Sequence, residues 1–309
     1  MLHLKTPIFQ HPAINARLNQ TVHFKMDCYQ PVGSFKIRGI GALCQHMQAE
    51  GKSRLVSSSG GNAGYAAAYA GKQLGLPVTV IAPETTTDIA INRMREQKAE
   101  VIIHGENWNA ADARAQEIVT ETNAGYIHPF DDAVIWDGHA TIIHESGKQI
   151  SKPDAVVVAV GGGGLLTGVL TGLRAIAWDD VPVIAVETEG AASFAATYNT
   201  GRLTRIDTIY SVAKTLGALE VTEALVTWLD RHPIKSVVVS DASAIDACLH
   251  FADDFRAIVE PACGAALSLV YDNAHFLDGY KNILMIVCGG ASATLQQLMT
   301  WQEATHATA

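Results

Sequence analysis

The chain has 309 residues, 48% of them apolar and 17% charged, enough to bury a substantial core in two domains or one large α/β unit. Its 22 basic and 31 acidic residues leave a formal charge of −9 with no Lys/Arg run. Nucleic acid and anionic membranes are therefore poor partners, and small-molecule chemistry is the expectation.

Taken in chain order, MLHLKTPIFQHP at the N-terminus shows neither the apolar run nor the cleavage site of a signal peptide. Next comes QPVGSFKIRG (30–39), where Lys36 stands between Phe35 and Ile37. Such a lysine is either a surface charge at a helix start or a partly buried amine. In the second case its pKa is lowered and it can act as nucleophile or base.

β-Branched runs predict strands at 53–58, 77–82, 100–104, 155–160, 181–186, 236–240 and 283–288. Helical patterns fall at 62–75, 109–123, 138–149, 165–177, 218–231 and 261–274. This alternation implies βαβ units and mostly parallel sheet with helices on both faces. The apolar stretch 155–173 is long enough to span a bilayer, but its four glycines favour strand, turn and helix instead.

Twice a strand runs through a small-residue loop straight into a helix, at LVSSSGGNAGYAAAYAG (55–71) and VVVAVGGGGLLTGVLTG (156–172). Each such turn aims free backbone N–H groups and a helix N-terminus at one point, a candidate anion site. Gly161 to Gly164 match neither a dinucleotide fingerprint nor a Walker loop, and four glycines exceed what a tight turn needs, which favours a phosphate. Ser57, Ser58, Ser59 and Asn62 suit a carboxylate or phosphate as well as they suit ordinary capping.

His139, His144 and Glu145 lack the order of a metal motif, and no G-x-S-x-G elbow occurs. The five cysteines are odd in number and show no C-x-x-C, which argues against disulfides and zinc and for a reducing, cytoplasmic setting.

An amine-bearing lysine, a phosphate cradle and a carboxylate cradle together describe pyridoxal-phosphate chemistry on an amino acid. KMDCYQPVGSFKIRG (25–39), SSGGNAG (58–64), PFDD-x-x-IWDGH (129–139), VGGGGLL (160–166), ETEGAASF (187–194), EPACGAAL (260–267) and IVCGGAS (286–292) closely resemble the L-serine/L-threonine dehydratases. These are fold-type-II, tryptophan-synthase β-like enzymes, and the resemblance runs in order from about residue 5 to 298. It implies two open, twisted, mostly parallel-sheet α/β domains with the cofactor in the cleft between them. The small domain would be 31–133, and the large one 1–30 with 134–309.

The same resemblance implies roles. Lys36 is the lysine that takes the cofactor aldehyde and then acts as general base. Phe35 packs on the ring, Gly161, Gly162, Gly163, Gly164 and Leu165 hold the phosphate, Asn62 meets the ring's 3′-oxygen, and Cys288 faces the pyridine nitrogen. Ser59, Gly60, Asn62 and Ala63 take the substrate carboxylate. Glu187, with backbone near Gly161, Ala191 and Leu216, corresponds to a monovalent-cation site, usually potassium. The implied activity is dehydration of L-serine, and of L-threonine, to pyruvate or 2-oxobutanoate and ammonia, in a homodimer.

Gly60 stands where relatives carry alanine, which suggests an enlarged pocket; Thr215 and His128 are further departures. A serine racemase or β-replacement synthase shares the fold, and a non-catalytic amino-acid-binding protein is the alternative from another class. A racemase needs a second acid on the opposite face, which a bare Gly60 does not supply.

Overall fold

The apolar runs without polar alternation become strands buried on both faces, as parallel sheet between helix layers requires. The computed structural model describes residues 1–306. Its strands are β1 (Ile8–Phe9), β2 (Thr21–Lys25), β3 (Leu55–Ser57), β4 (Val78–Ala82), β5 (Glu100–Ile103), β6 (Gly125–Ile127), β7 (Ala155–Ala159), β8 (Val183–Thr188), β9 (Ile234–Val239) and β10 (Asn282–Ile286). They form a six-stranded sheet, β1-β2-β10-β7-β8-β9, and a four-stranded sheet, β5-β4-β3-β6. Every pairing is parallel except β1 with β2.

All residues of β3, β4, β7 and β8 are buried. The larger sheet shares one apolar core with the helices Gly164–Ala175 and Pro261–Tyr271. The smaller sheet has separate cores on its two faces, one formed with the helices Lys36–Ala49 and Asn62–Leu74 and the other with Trp108–Thr122. The carboxyl ends of β3, β7 and β10 all lead into glycine-bearing loops, the position where parallel α/β sheets bind ligands.

The segment 155–173 is strand, turn and helix, and no helix among the described residues is long and apolar enough to cross a membrane. The pattern at 218–231 shrinks to the helix Ala224–Leu229, because Thr222 is tied down by tertiary contacts. Its N–H donates to Gly162 O at 2.9 Å and its hydroxyl to Asp131 at 2.6 Å, holding the preceding residues out of the helix. Strand β2 and the helices Asp88–Glu96, Asp241–Phe255 and Leu295–His306 have no counterpart in the sequence pattern above.

Candidate active site

Lys36 opens the helix Lys36–Ala49 and is fixed from two sides. On one side, Phe35 N–H donates to Cys288 O at 3.0 Å and Gly290 N–H to Gly33 O at 2.8 Å, stitching this stretch to the loop after β10. On the other, fully buried Arg38 grips Asp27 (2.6 and 2.8 Å) and Glu145 (2.8 and 2.9 Å). A buried network with its charges paired holds the helix start in one place.

From that anchored position Lys36 Nζ donates to Pro129 O at 2.6 Å. Burial lowers its pKa to about 8, against the opposing charge of Glu260. A substantial neutral fraction therefore exists near physiological pH. The Phe35 ring lies 5.2 Å from Nζ and leans on the ring of His139 at 4.8 Å.

A circuit of contacts runs out from Lys36 and returns to it. Phe130, next to Pro129, packs so tightly on the tetraglycine turn that a Cβ on Gly162 would lie 2.5 Å from its ring. Gly163 has φ +91° and precedes the helix Gly164–Ala175, whose first turn no side chain caps. Gly161 abuts Leu216, whose Cα would be 3.0 Å from a Cβ there. Thr215 donates to Glu260 at 2.5 Å, as does Asn62 Nδ2 at 2.7 Å. Asn62 Oδ1 accepts from Ala291 N–H at 2.9 Å, in the loop whose Cys288 holds Phe35. Nothing local in the sequence marks Glu260, since a Glu before Pro looks like an ordinary helix start.

The serine-rich turn is less uniform than its sequence. Ser57 and Ser58 are buried, and Ser58 Oγ lies 3.2 Å from the Tyr126 hydroxyl. Ser59 is part-exposed and accepts from Gly61 N–H at 3.3 Å. The helix Asn62–Leu74 that follows also lacks a side-chain cap, and Ala63 is buried in its first turn. Gly60 does not open the pocket as the sequence suggested. A Cβ there would stand 2.1 Å from Thr86 Oγ1 and 2.9 Å from Thr86 Cγ2, so Thr86 fills the space. No motif marked Thr86, which lies in a run of three threonines (85–87).

His128 is wedged against Trp108, Tyr126 and Phe130. Its Nδ1 accepts from the N–H groups of Phe130 (3.2 Å) and Asp131 (2.7 Å), which puts the neutral ring's proton on Nε2. Cys288 is buried, and its neighbour Cys263 and that burial hold its thiol well above the ordinary value, so it stays protonated. Glu145 is committed to Lys25 and Arg38, and His139 lies buried away from it against Phe35.

Glu187, fully buried on β8, accepts from Phe194 N–H (2.8 Å) and Ala195 N–H (2.7 Å). Burial nevertheless pushes its pKa up to about 8. Ala191 is buried in the short turn Glu189–Ala191 that follows.

A family model described as "Pyridoxal-phosphate dependent enzyme" matches residues 1–289. The human protein named L-serine dehydratase/L-threonine deaminase is 44% identical over 313 residues, covering 98% of this chain and 95% of that one. Among solved structures, a fungal L-serine ammonia-lyase from Rhizomucor miehei superposes with a TM-score of 0.93 at 37% identity, covering 98% of both chains. A maize serine racemase reaches 0.89 at 23% identity over 99% of this chain and 94% of that one, which shows a shared fold. The chain belongs to the pyridoxal-phosphate dependent enzymes.

Proposed function

We propose that this pyridoxal-phosphate dependent enzyme is an L-serine ammonia-lyase that also accepts L-threonine, releasing pyruvate or 2-oxobutanoate and ammonia. The observation carrying the proposal is the circuit joining a low-pKa Lys36 to both glycine-bearing turns. The human and fungal similarities support the choice of substrate.

The site's chemistry fits the cofactor. Two uncapped helix starts present backbone N–H groups for a phosphate and a carboxylate. When bound, pyridoxal phosphate supplies the electron sink that lets an amino acid lose its α-proton. Lys36 would hold the aldehyde and, freed by substrate, take that proton at Nζ. Phe35 would flank the ring, Asn62 would meet its 3′-oxygen, and Gly161–Gly164 with Leu165 would hold the phosphate. Ser59, Gly60, Asn62 and Ala63 would receive the carboxylate. The protonated Cys288 would face the ring nitrogen as a weak partner, which suits elimination over a long-lived carbanion.

Potassium beside Glu187, with backbone oxygens of Gly161, Ala191 and Leu216, is part of the same proposal. A buried carboxylate with no cationic partner among the described residues would be relieved by such an ion. So are a cytoplasmic homodimer, in keeping with five unpaired thiols, and the division into 31–133 and the remainder, in keeping with where the two sheets fall. One observation favours a racemase side activity: Thr86 brings a hydroxyl to Gly60.

The purified protein should be yellow, change its absorbance with L-serine, and form keto acid faster with potassium than with sodium. Chiral analysis for D-serine measures any racemisation, and light scattering should give twice the chain mass. Wild-type protein that takes up no pyridoxal phosphate would overturn the proposal.

A further inference from the structure

Glu260 precedes the helix Pro261–Tyr271 yet leaves that helix without a side-chain cap. Its carboxylate turns into the site instead, 3% exposed, with both oxygens engaged. Oε1 accepts from Asn62 Nδ2 (2.7 Å) and Thr215 Oγ1 (2.5 Å); Oε2 accepts from Ser292 N–H (3.2 Å) and from the Ser292 hydroxyl. Space for it exists only because residue 290 is glycine, where a Cβ would stand 1.9 Å from Glu260 Cδ. The donors come from three separate segments: the turn after β3, the 214–216 turn and the loop after β10.

A buried carboxylate needs a reason, since a neutral side chain would avoid its desolvation. The reason lies in the one chemical property that separates it from an amide: ionised, it only accepts. Asn62 must therefore turn Nδ2, not Oδ1, toward Glu260, and Oδ1 is correspondingly placed on Ala291 N–H. One Nδ2 hydrogen is used there and the second stays available.

Resting on the reading of Asn62 as the partner of the cofactor's ring oxygen, we propose that Glu260 is a positioning residue that fixes the Asn62 amide as a donor to that oxygen. Glutamine at 260 can set its own N–H group against Asn62 Nδ2, donor against donor, which leaves Ala291 N–H alone to hold the amide and lets Nδ2 turn away from the ring oxygen. The carboxylate also binds the carboxylate turn of the small sheet to the 214–216 and post-β10 loops, so the donor keeps its place.

The test titrates pyridoxal phosphate into apo-protein and reads its affinity and visible band, alongside the apo-protein's melting temperature. Glu260→Gln should weaken cofactor binding by about 10-fold to 100-fold, the loss of one or two buried hydrogen bonds, and shift the band. Combined with Asn62→Ala, it should add no further loss. The exchange Asn62→Asp with Glu260→Gln reverses donor and acceptor across the same contact. It should restore the melting temperature but leave affinity as low as in Asn62→Ala.

Unchanged affinity and band in Glu260→Gln, multiplicative losses in the double variant, or affinity regained by the exchange would each overturn the inference. Should Glu260→Gln not fold, Ser292→Ala and Thr215→Val each remove one donor. Their several-fold loss must then vanish in an Asn62→Ala background. Colourless wild-type protein would fail the proposed function; yellow wild type with an unaffected Glu260→Gln fails this inference alone.

Discussion

Lys25 and Lys36 both bury their ammonium groups, and they end in opposite company. Lys25 Nζ donates to Thr6 O (2.8 Å), Glu145 Oε2 (2.6 Å) and Gln149 Oε1 (2.9 Å), so every N–H is used and the charge is matched. Lys36 Nζ has one neutral acceptor among the described residues, Pro129 O. Burial lowers the pKa of both, but at Lys25 the hydrogen bond and charge of Glu145 push back, whereas Lys36 falls to about 8. Desolvation alone thus does not make a reactive amine. A saturated, charge-matched lysine is a structural clamp, and an unsaturated one near two uncapped helix starts is available for chemistry.

The sharpest way to break this comparison is to remove each lysine. Lys36→Ala should lose cofactor colour and at least about 10³-fold of keto-acid formation while remaining folded. Lys25→Met should keep activity per folded molecule but lose about 3 kcal/mol in urea unfolding, as Glu145 loses a partner. A folded Lys25→Met that no longer takes up cofactor would end the distinction. Asp27→Asn, which leaves Arg38 half-paired, should likewise lose about 3 kcal/mol with its colour retained.

A smaller effect is expected at the serine-glycine turn after β3. Gly60→Ala forces Thr86 aside and should raise KM for L-serine by about tenfold, roughly 1.4 kcal/mol. Adding Thr86→Ala removes the clashing Oγ1 and Cγ2 and should recover most of that loss; additive effects would show that the two residues are not coupled.

The smallest effects are pH-dependent. Reductive methylation of apo-protein, read by mass spectrometry, should modify Lys36 with a midpoint near pH 8 and spare Lys25 while the fold persists. Because Lys36 loses its proton near 8 when folded but near 10.5 when unfolded, the unfolded chain binds more protons in between. Its contribution to stability therefore rises with pH across that window. Glu187 works oppositely: its folded pKa is raised to about 8 from 4.5, so its contribution is full below 4.5 and is lost as pH rises toward 8. Potassium should offset that loss in a melting experiment at pH 8, and sodium less so.

Much of this was legible in the chain. The runs AVVVA and VTVIA could be read as strands because sheet buried on both faces favours near-continuous apolar, β-branched runs. β2, TVHFK, escaped because its His and Lys break that pattern, and Lys25 is tolerated only through Glu145, which lies far away in sequence. Lys36 and the two turns were visible as local motifs. Glu260 and Thr86 were not, since their roles consist wholly of contacts: one with Asn62, Thr215 and Ser292, the other with the space above a glycine. Local chemistry can be read from neighbours in the chain, whereas an acceptor whose donors come from three segments needs the fold.

Lys36, and not the fully buried Lys25, is proposed to hold the cofactor. Borohydride reduction of the yellow protein followed by peptide mass mapping tests it directly, because reduction fixes pyridoxal phosphate to the amine that carries it. The account predicts a single modified peptide labelled at Lys36. Label on Lys25 or another lysine, with Lys36 unmodified, would contradict it.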